Sequence, residues 1–114
     1  MENENLIERK SYDFALRIIK VYKFLIKNNE FVLSKQILRS GTSIGANVVE
    51  ANDAISKKEF RAKMSIALKE ARETKYWLDL LVASEFLSKI QVENVENLLN
   101  ELISMLVKVV KNAK

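Results

Sequence analysis

The sequence predicts an all-α protein, an antiparallel up-down-up-down four-helix bundle, on three observations. It contains no proline and only two glycines in 114 residues, so helix breakers are almost absent. Apolar residues recur three and four apart through four successive segments, the spacing of a helix with one buried face. The short joints between the segments carry Asn, Ser and Asp, which satisfy the unpaired groups at helix ends. Hydrophobic residues make up 48% of the chain, enough for one core, so residues 1–114 are expected to form a single domain.

The first helix is expected near residues 5–28, where Phe14, Ile18, Ile19, Tyr22, Leu25 and Ile26 make it apolar on several sides and Asn28-Asn29 ends it. The second, near 34–53, has Ser34 as its expected N-cap and buries Ile37, Ile44 and Val48. Opposite these lies a narrow polar sector of Gln36, Ser40, Ser43, Asn47 and Glu50. The third, near 56–85, opens with the capping-box pair Ser56 and Glu59 and carries the clearest seam: Phe60, Met64, Ala67, Ala71, Thr74, Leu78 and Leu81. The fourth, near 91–112, can be boxed by Ser88 and Gln91 and repeats the pattern through Val92, Val95, Leu99, Leu102, Leu106 and Val109. Joints this short force sequential helices to run in opposite directions.

Both glycines fall within the second helix, Gly41 and Gly45, four apart on one face. Each costs about 1 kcal/mol relative to alanine in a helix interior, which suggests that another backbone approaches closely there. From this point the sequence LRSGTSIGANVVEANDAISKKEFRAKMSIALKEARETKYWLDLL, Leu38 to Leu81, strongly resembles the bacterial four-helix-bundle proteins encoded in intervening sequences of 23S ribosomal RNA genes. It is also similar to the accessory proteins of diversity-generating retroelements, which belong to the same group. The resemblance implies an up-down bundle, a ring-shaped, pentameric homo-oligomer, and a role with nucleic acid. It implies no chemistry, and spacing by itself does not set the number of protomers.

Composition points the same way. The chain has no cysteine and no histidine, which excludes disulfides and thiolate sites and removes the commonest metal ligand and general base. Glu50, Glu70 and Glu73 could face one another as in a carboxylate-bridged metal bundle, but such sites add Glu-x-x-His pairs that are missing here. The expected arrangement is instead a structural network in which Arg39, from the same chain or a neighbouring protomer, pairs with Glu70 or Glu73 beside Glu50. Ser40, Thr42 and Ser43 have no histidine to activate them and no Ser-x-x-Lys pair, and no phosphate loop is present. No cofactor, no metal and no enzymatic activity are expected. The opening MENENLIERK is polar and no run of 18 apolar residues occurs, so the protein is expected to be cytoplasmic, without a membrane partner.

Nineteen basic against fifteen acidic side chains give a net charge of +4, a mild bias toward anionic partners. Lys58, Arg61, Lys69, Arg72 and Tyr76 project into one sector of the third helix. Their partners four residues on are not acidic, except Glu73 for Lys69, so the stripe lacks the alternating charges of an ordinary solvated face. With antiparallel helices, Arg9, Lys10, Lys57, Lys58, Arg61, Lys63, Lys108, Lys111 and Lys114 would gather at one pole, offset by Glu8, Asp53 and Glu59. Helix-dipole complementarity accounts equally for part of the lysines ending the fourth helix.

These features suit a nucleic-acid backbone, RNA more than DNA. Ile66, Trp77 and Leu80 beside the third-helix seam, with Ser40, Ser43 and Asn47 on the second, are the expected oligomer interface; the polar sector fits a plainly solvated face as well. The alternative function is a protein-interaction adaptor, for example accessory to a reverse transcriptase-type enzyme.

Overall fold

Few breakers and continuous apolar seams produce four helices: α1 (Glu2–Lys27), α2 (Leu33–Asn52), α3 (Lys57–Ala83) and α4 (Lys89–Asn112). The computed structural model describes the backbone of residues 2–113 and the side chains of residues 5–113. Among the described residues no strand occurs and no helix is long and apolar enough to cross a membrane. The helices form a four-helix bundle measuring 44 × 21 × 19 Å, in which α2 packs between α1 and α3, and α4 between α3 and α1.

Cross-helix partners run in opposite numerical order. Asn52 bonds Glu8 whereas Gly41 meets Ile18 across α1–α2. Glu50 bonds Lys63 whereas Ser40 bonds Thr74 across α2–α3. The core takes a stripe from every helix: Phe14, Ile18 and Leu25; Ile37, Ile44 and Val48; Met64, Ala71 and Leu78; Leu99, Leu102 and Leu106. Burying each of the larger of these side chains stabilises the fold by about 1.5–3 kcal/mol, which is why one seam per helix is enough to order the chain.

The joints correct part of the capping scheme. Ser34 is not the N-cap of α2; it lies inside the helix, fully buried, with no hydrogen-bond partner for its hydroxyl among the described residues. The buried Glu30 carboxylate takes that role, accepting from the backbone N–H groups of Ser34 at 2.6 Å, Leu33 at 3.1 Å and Val32 at 3.4 Å. An anion at a helix N-terminus meets the positive end of the helix dipole as well as unpaired donors. Ser56 accepts from the Glu59 N–H, but the Glu59 carboxylate reaches past Ser56 to the Ile55 N–H, so the box at α3 is stretched by one residue. Ser88 and Gln91 form the complete reciprocal box of α4.

Two helices end in the same way. Asn29 and Glu85 adopt left-handed backbone conformations, with φ of 66° and 69°. The Glu30 N–H returns to the Leu25 carbonyl and the Phe86 N–H to the Leu81 carbonyl, the six-to-one bond of a Schellman motif. The positions where glycine is usual therefore carry Asn and Glu, and both glycines sit in α2.

The two glycines are not equivalent. A Cβ on Gly41 would stand 2.8 Å and 2.9 Å from the Cγ2 and Cγ1 atoms of buried Ile18, the branched stem of a side chain that cannot swing away. A Cβ on Gly45 would meet only ordinary contacts with Ser11, at 3.4 Å or more. The close approach expected at both is thus required at Gly41 alone, and what approaches there is a side chain.

Gly41→Ala is expected to destabilise the protein by about 1–2 kcal/mol, overpacking against Ile18 outweighing the gain in helix propensity. Gly45→Ala should leave stability unchanged or raise it by up to about 1 kcal/mol. Urea denaturation of both variants checks the contrast, and equal losses would contradict it. In the same assay Glu30→Ala should cost about 1–2 kcal/mol, whereas Ser34→Ala, which removes a buried hydroxyl without a partner, should cost less.

Candidate nucleic-acid interface

α3 buries Met64, Ala67, Ala71, Thr74, Leu78 and Leu81, which turns the opposite side of the helix outward. Lys58, Arg61, Lys69, Arg72 and Tyr76 are all exposed on that outer side. Tyr76, 59% exposed, packs edge-on against Trp77 with ring centroids 5.1 Å apart. Among the described residues, no carboxylate lies within salt-bridge distance of Lys58, Arg61, Lys69 or Arg72. Arg61 is not wholly disengaged, because its Nε donates to the Val110 carbonyl near the end of α4 at 3.4 Å.

Glu73, the one acidic neighbour available to Lys69, is occupied elsewhere. Its carboxylate accepts from the Arg39 guanidinium and from the Trp77 Nε1–H at 2.9 Å. Arg39 also donates to both oxygens of Glu70 at 3.3 Å, so one guanidinium on α2 clasps two carboxylates on α3. Glu50 lies outside this network. It is eleven residues beyond Arg39, about 16 Å along the axis at 1.5 Å per residue, and it pairs with Lys63 at 2.8 Å. Projection around a helix hides that axial separation. The Glu50 carboxylate raises the Lys63 pKa above its ordinary value, first through this hydrogen bond and then through opposite charge.

The basic residues at the end formed by the α2–α3 joint divide into two groups. Lys57 lines a cleft with Asn112 and Ala113, so the start of α3 adjoins the end of α4; Lys57, Lys58, Lys108, Lys111 and Arg9 are exposed there. Lys10 bridges Glu101 at 2.9 Å and Lys63 bridges Glu50, which withdraws both from any stripe of uncompensated charge. Glu8 accepts from Asn52 at 2.8 Å. Lys114 lies outside the described residues.

The six residues expected at an oligomer interface differ in where the single chain places them. Ser40 is completely buried and hydroxyl-bonded at 2.9 Å to Thr74, which itself donates to the Glu70 carbonyl, so Ser40 serves the α2–α3 contact inside one chain. Asn47, half-buried, donates to the Ser43 carbonyl of its own helix. Trp77 packs against the core, and Ser43 and Leu80 are half-buried; Ile66 alone of the six is an exposed apolar side chain. On α1, Phe14, Ile18 and Leu25 belong to the core, and the exposed apolar groups are Tyr12, Leu16 and Phe24. A helix that is apolar on several sides does not reveal from its own period which side faces inward.

Comparison with known proteins places this geometry. The sequence profile of the 23S rRNA-intervening sequence protein family matches residues 3–108. A crystal structure of a protein of unknown function from the S23 ribosomal protein family of Bacteroides thetaiotaomicron is similar to this chain, with 49% sequence identity and a TM-score of 0.93. The match covers 96% of this chain and 99% of that one. No curated protein matches. With the family profile spanning nearly its whole length and the same four helices in a solved relative, the chain belongs to the 23S rRNA-intervening sequence protein family.

Proposed function

We propose that this protein is a non-catalytic, cytoplasmic nucleic-acid-binding module, with RNA preferred over DNA, acting as one antiparallel up-down-up-down protomer of a ring-shaped homo-oligomer. The observation that carries the reading is the outer side of α3, where Lys58, Arg61, Lys69 and Arg72 are exposed with no carboxylate in bridging distance among the described residues. From residue 58 to residue 72 the stripe is about 20 Å long at 1.5 Å per residue, enough to follow several successive phosphates. The family's link to 23S rRNA intervening sequences supports RNA over DNA.

Lysines and arginines on a helix flank position a backbone and carry little base readout, so recognition rests on shape. Tyr76 at the end of the stripe offers an aromatic face for one unstacked base. A ring multiplies these contacts on a single RNA without any further motif.

Fluorescence anisotropy with a labelled RNA hairpin tests the reading. Affinity should fall by about a hundredfold or more between 50 and 200 mM salt. Replacing Lys58, Lys69 and Arg72 together by Gln, and leaving Arg61 to its contact with Val110, should weaken binding and reduce the salt slope by about two to three. An unchanged slope would remove the stripe from the interface. A partner that survives nuclease treatment of a lysate, with no RNA binding by the purified protein, would favour the adaptor function.

A further inference from the structure

The basic end of the bundle holds a cleft of about 470 Å³, where the α2–α3 joint meets the close of α4. Its walls are Ala54, Ile55, Ser56, Lys57 and Phe60 from the joint and the first turn of α3, with Asn112 from α4. Phe60 is half-buried against the core, whereas Ile55 is an apolar side chain left 95% exposed. Polar groups on the walls are few. The exposed Asn112 amide both donates and accepts. The Ser56 hydroxyl accepts from the Glu59 N–H at 3.1 Å and keeps its own hydrogen to donate. Lys57 on the wall, Lys58 after it, and Lys108 and Lys111 in the last turns of α4 are exposed, with no carboxylate in bridging distance among the described residues. Asp53 and Glu59 belong to the same joint but do not line the cleft.

We infer that this cleft seats the base of one unpaired RNA nucleotide, with the lysines around it holding the adjoining phosphates. The inference rests on the RNA-binding function proposed above and adds to it a preference for RNA that offers a single-stranded end or bulge. The parts of a nucleotide match the parts of the cleft: apolar base faces for Ile55 and Phe60, a hydrogen-bonding edge for Asn112 and Ser56, and a phosphate for Lys57 and Lys58. Its volume falls in the range of about 300–1,000 Å³ typical of sites that enclose a small organic group. Paired RNA keeps its bases stacked inside the duplex, so it reaches the lysines and leaves the cleft empty. Lys58 directly follows Lys57 and begins the stripe that continues through Arg61, Lys69 and Arg72, so a strand lying along α3 arrives at the cleft. The Arg61 Nε–H donates to the Val110 carbonyl at 3.4 Å, two residues before Asn112, which ties the two sides of the cleft together before any ligand enters.

Fluorescence anisotropy with two labelled hairpins of identical stem tests the cleft. Each stem continues into a short single-stranded tail, of adenosines in one and of abasic residues in the other, so the phosphates are equal and only the bases differ. The adenosine tail should bind about fivefold tighter or more, the effect of one stacked base. Ile55→Ser alters a side chain too exposed to matter for folding and should remove most of that difference. Phe60→Leu keeps apolar volume, loses the ring and should reduce the difference as well, with far-ultraviolet circular dichroism confirming an intact fold. Equal affinity for the two tails, or a difference that Ile55→Ser leaves intact, overturns the inference while RNA binding itself stands. Failure of both hairpins to bind even at low salt removes the RNA-binding function, and the cleft's role with it.

Discussion

The bundle depends on how closely α2 can approach its two neighbours. On one side Gly41 lies against the branched stem of Ile18 with no room for a methyl group. On the other, Ser40 is small enough to be buried against α3 and to bond Thr74 there. Small residues on facing helices, with Ala51 on α2 and Ala67 and Ala71 on α3, shorten the separation of these axes. α4 presents Leu99, Leu102 and Leu106 instead, and larger knobs hold helices further apart. The consequence is an asymmetric bundle: α1, α2 and α3 are drawn together and the flanks of α4 stay open as grooves.

The same tight seam sorts the charges. Carboxylates on α2 and α3 are consumed near their contact: Glu70 and Glu73 by Arg39, and Glu50 by Lys63. Exposed pairs of this kind contribute at most about 1 kcal/mol each. Their greater effect is on the surface left behind, because the outer side of α3 keeps its lysines and arginines without the carboxylates that could have neutralised them. A mild net charge of +4 thereby becomes a local concentration of positive potential. The fold turns a nearly balanced composition into an oriented one.

Charge is also unevenly distributed along the bundle. The end formed by the α2–α3 joint and the close of α4 is basic, through Lys57, Lys58, Lys108 and Lys111. Two grooves flanking α4, one lined by Lys20 and Lys23 and the other by Asp79, Glu93 and Glu96, lie in the other half, along residues 16–24 of α1 and 79–96 of α3 and α4.

Much of the architecture is legible in the sequence. The seams of α3 and α4, the Ser88–Gln91 box and the end of α1 at Asn28-Asn29 follow from spacing and end chemistry, because they are local and the helix period is fixed. The pairing of Arg39 with Glu70 and Glu73 was open to the same reasoning, since the three lie on helices joined by a short turn. Where a residue's role depends on its distance along an axis or on a partner far away in the chain, the sequence was silent. Glu50 shares an angular sector with Arg39 and belongs to another pair; Ser40 resembles a surface serine and is core; Glu30, before α2, replaces Ser34 as its cap. Gly45 carries the same letter as Gly41 without the same need. The sequence by itself determined which segments are helical and which side of α3 and α4 is apolar, because those depend on neighbours within one or two turns. Only the tertiary structure decided how close the helices come, which charges cancel and which flanks stay open, because these depend on side-chain volumes meeting across helices.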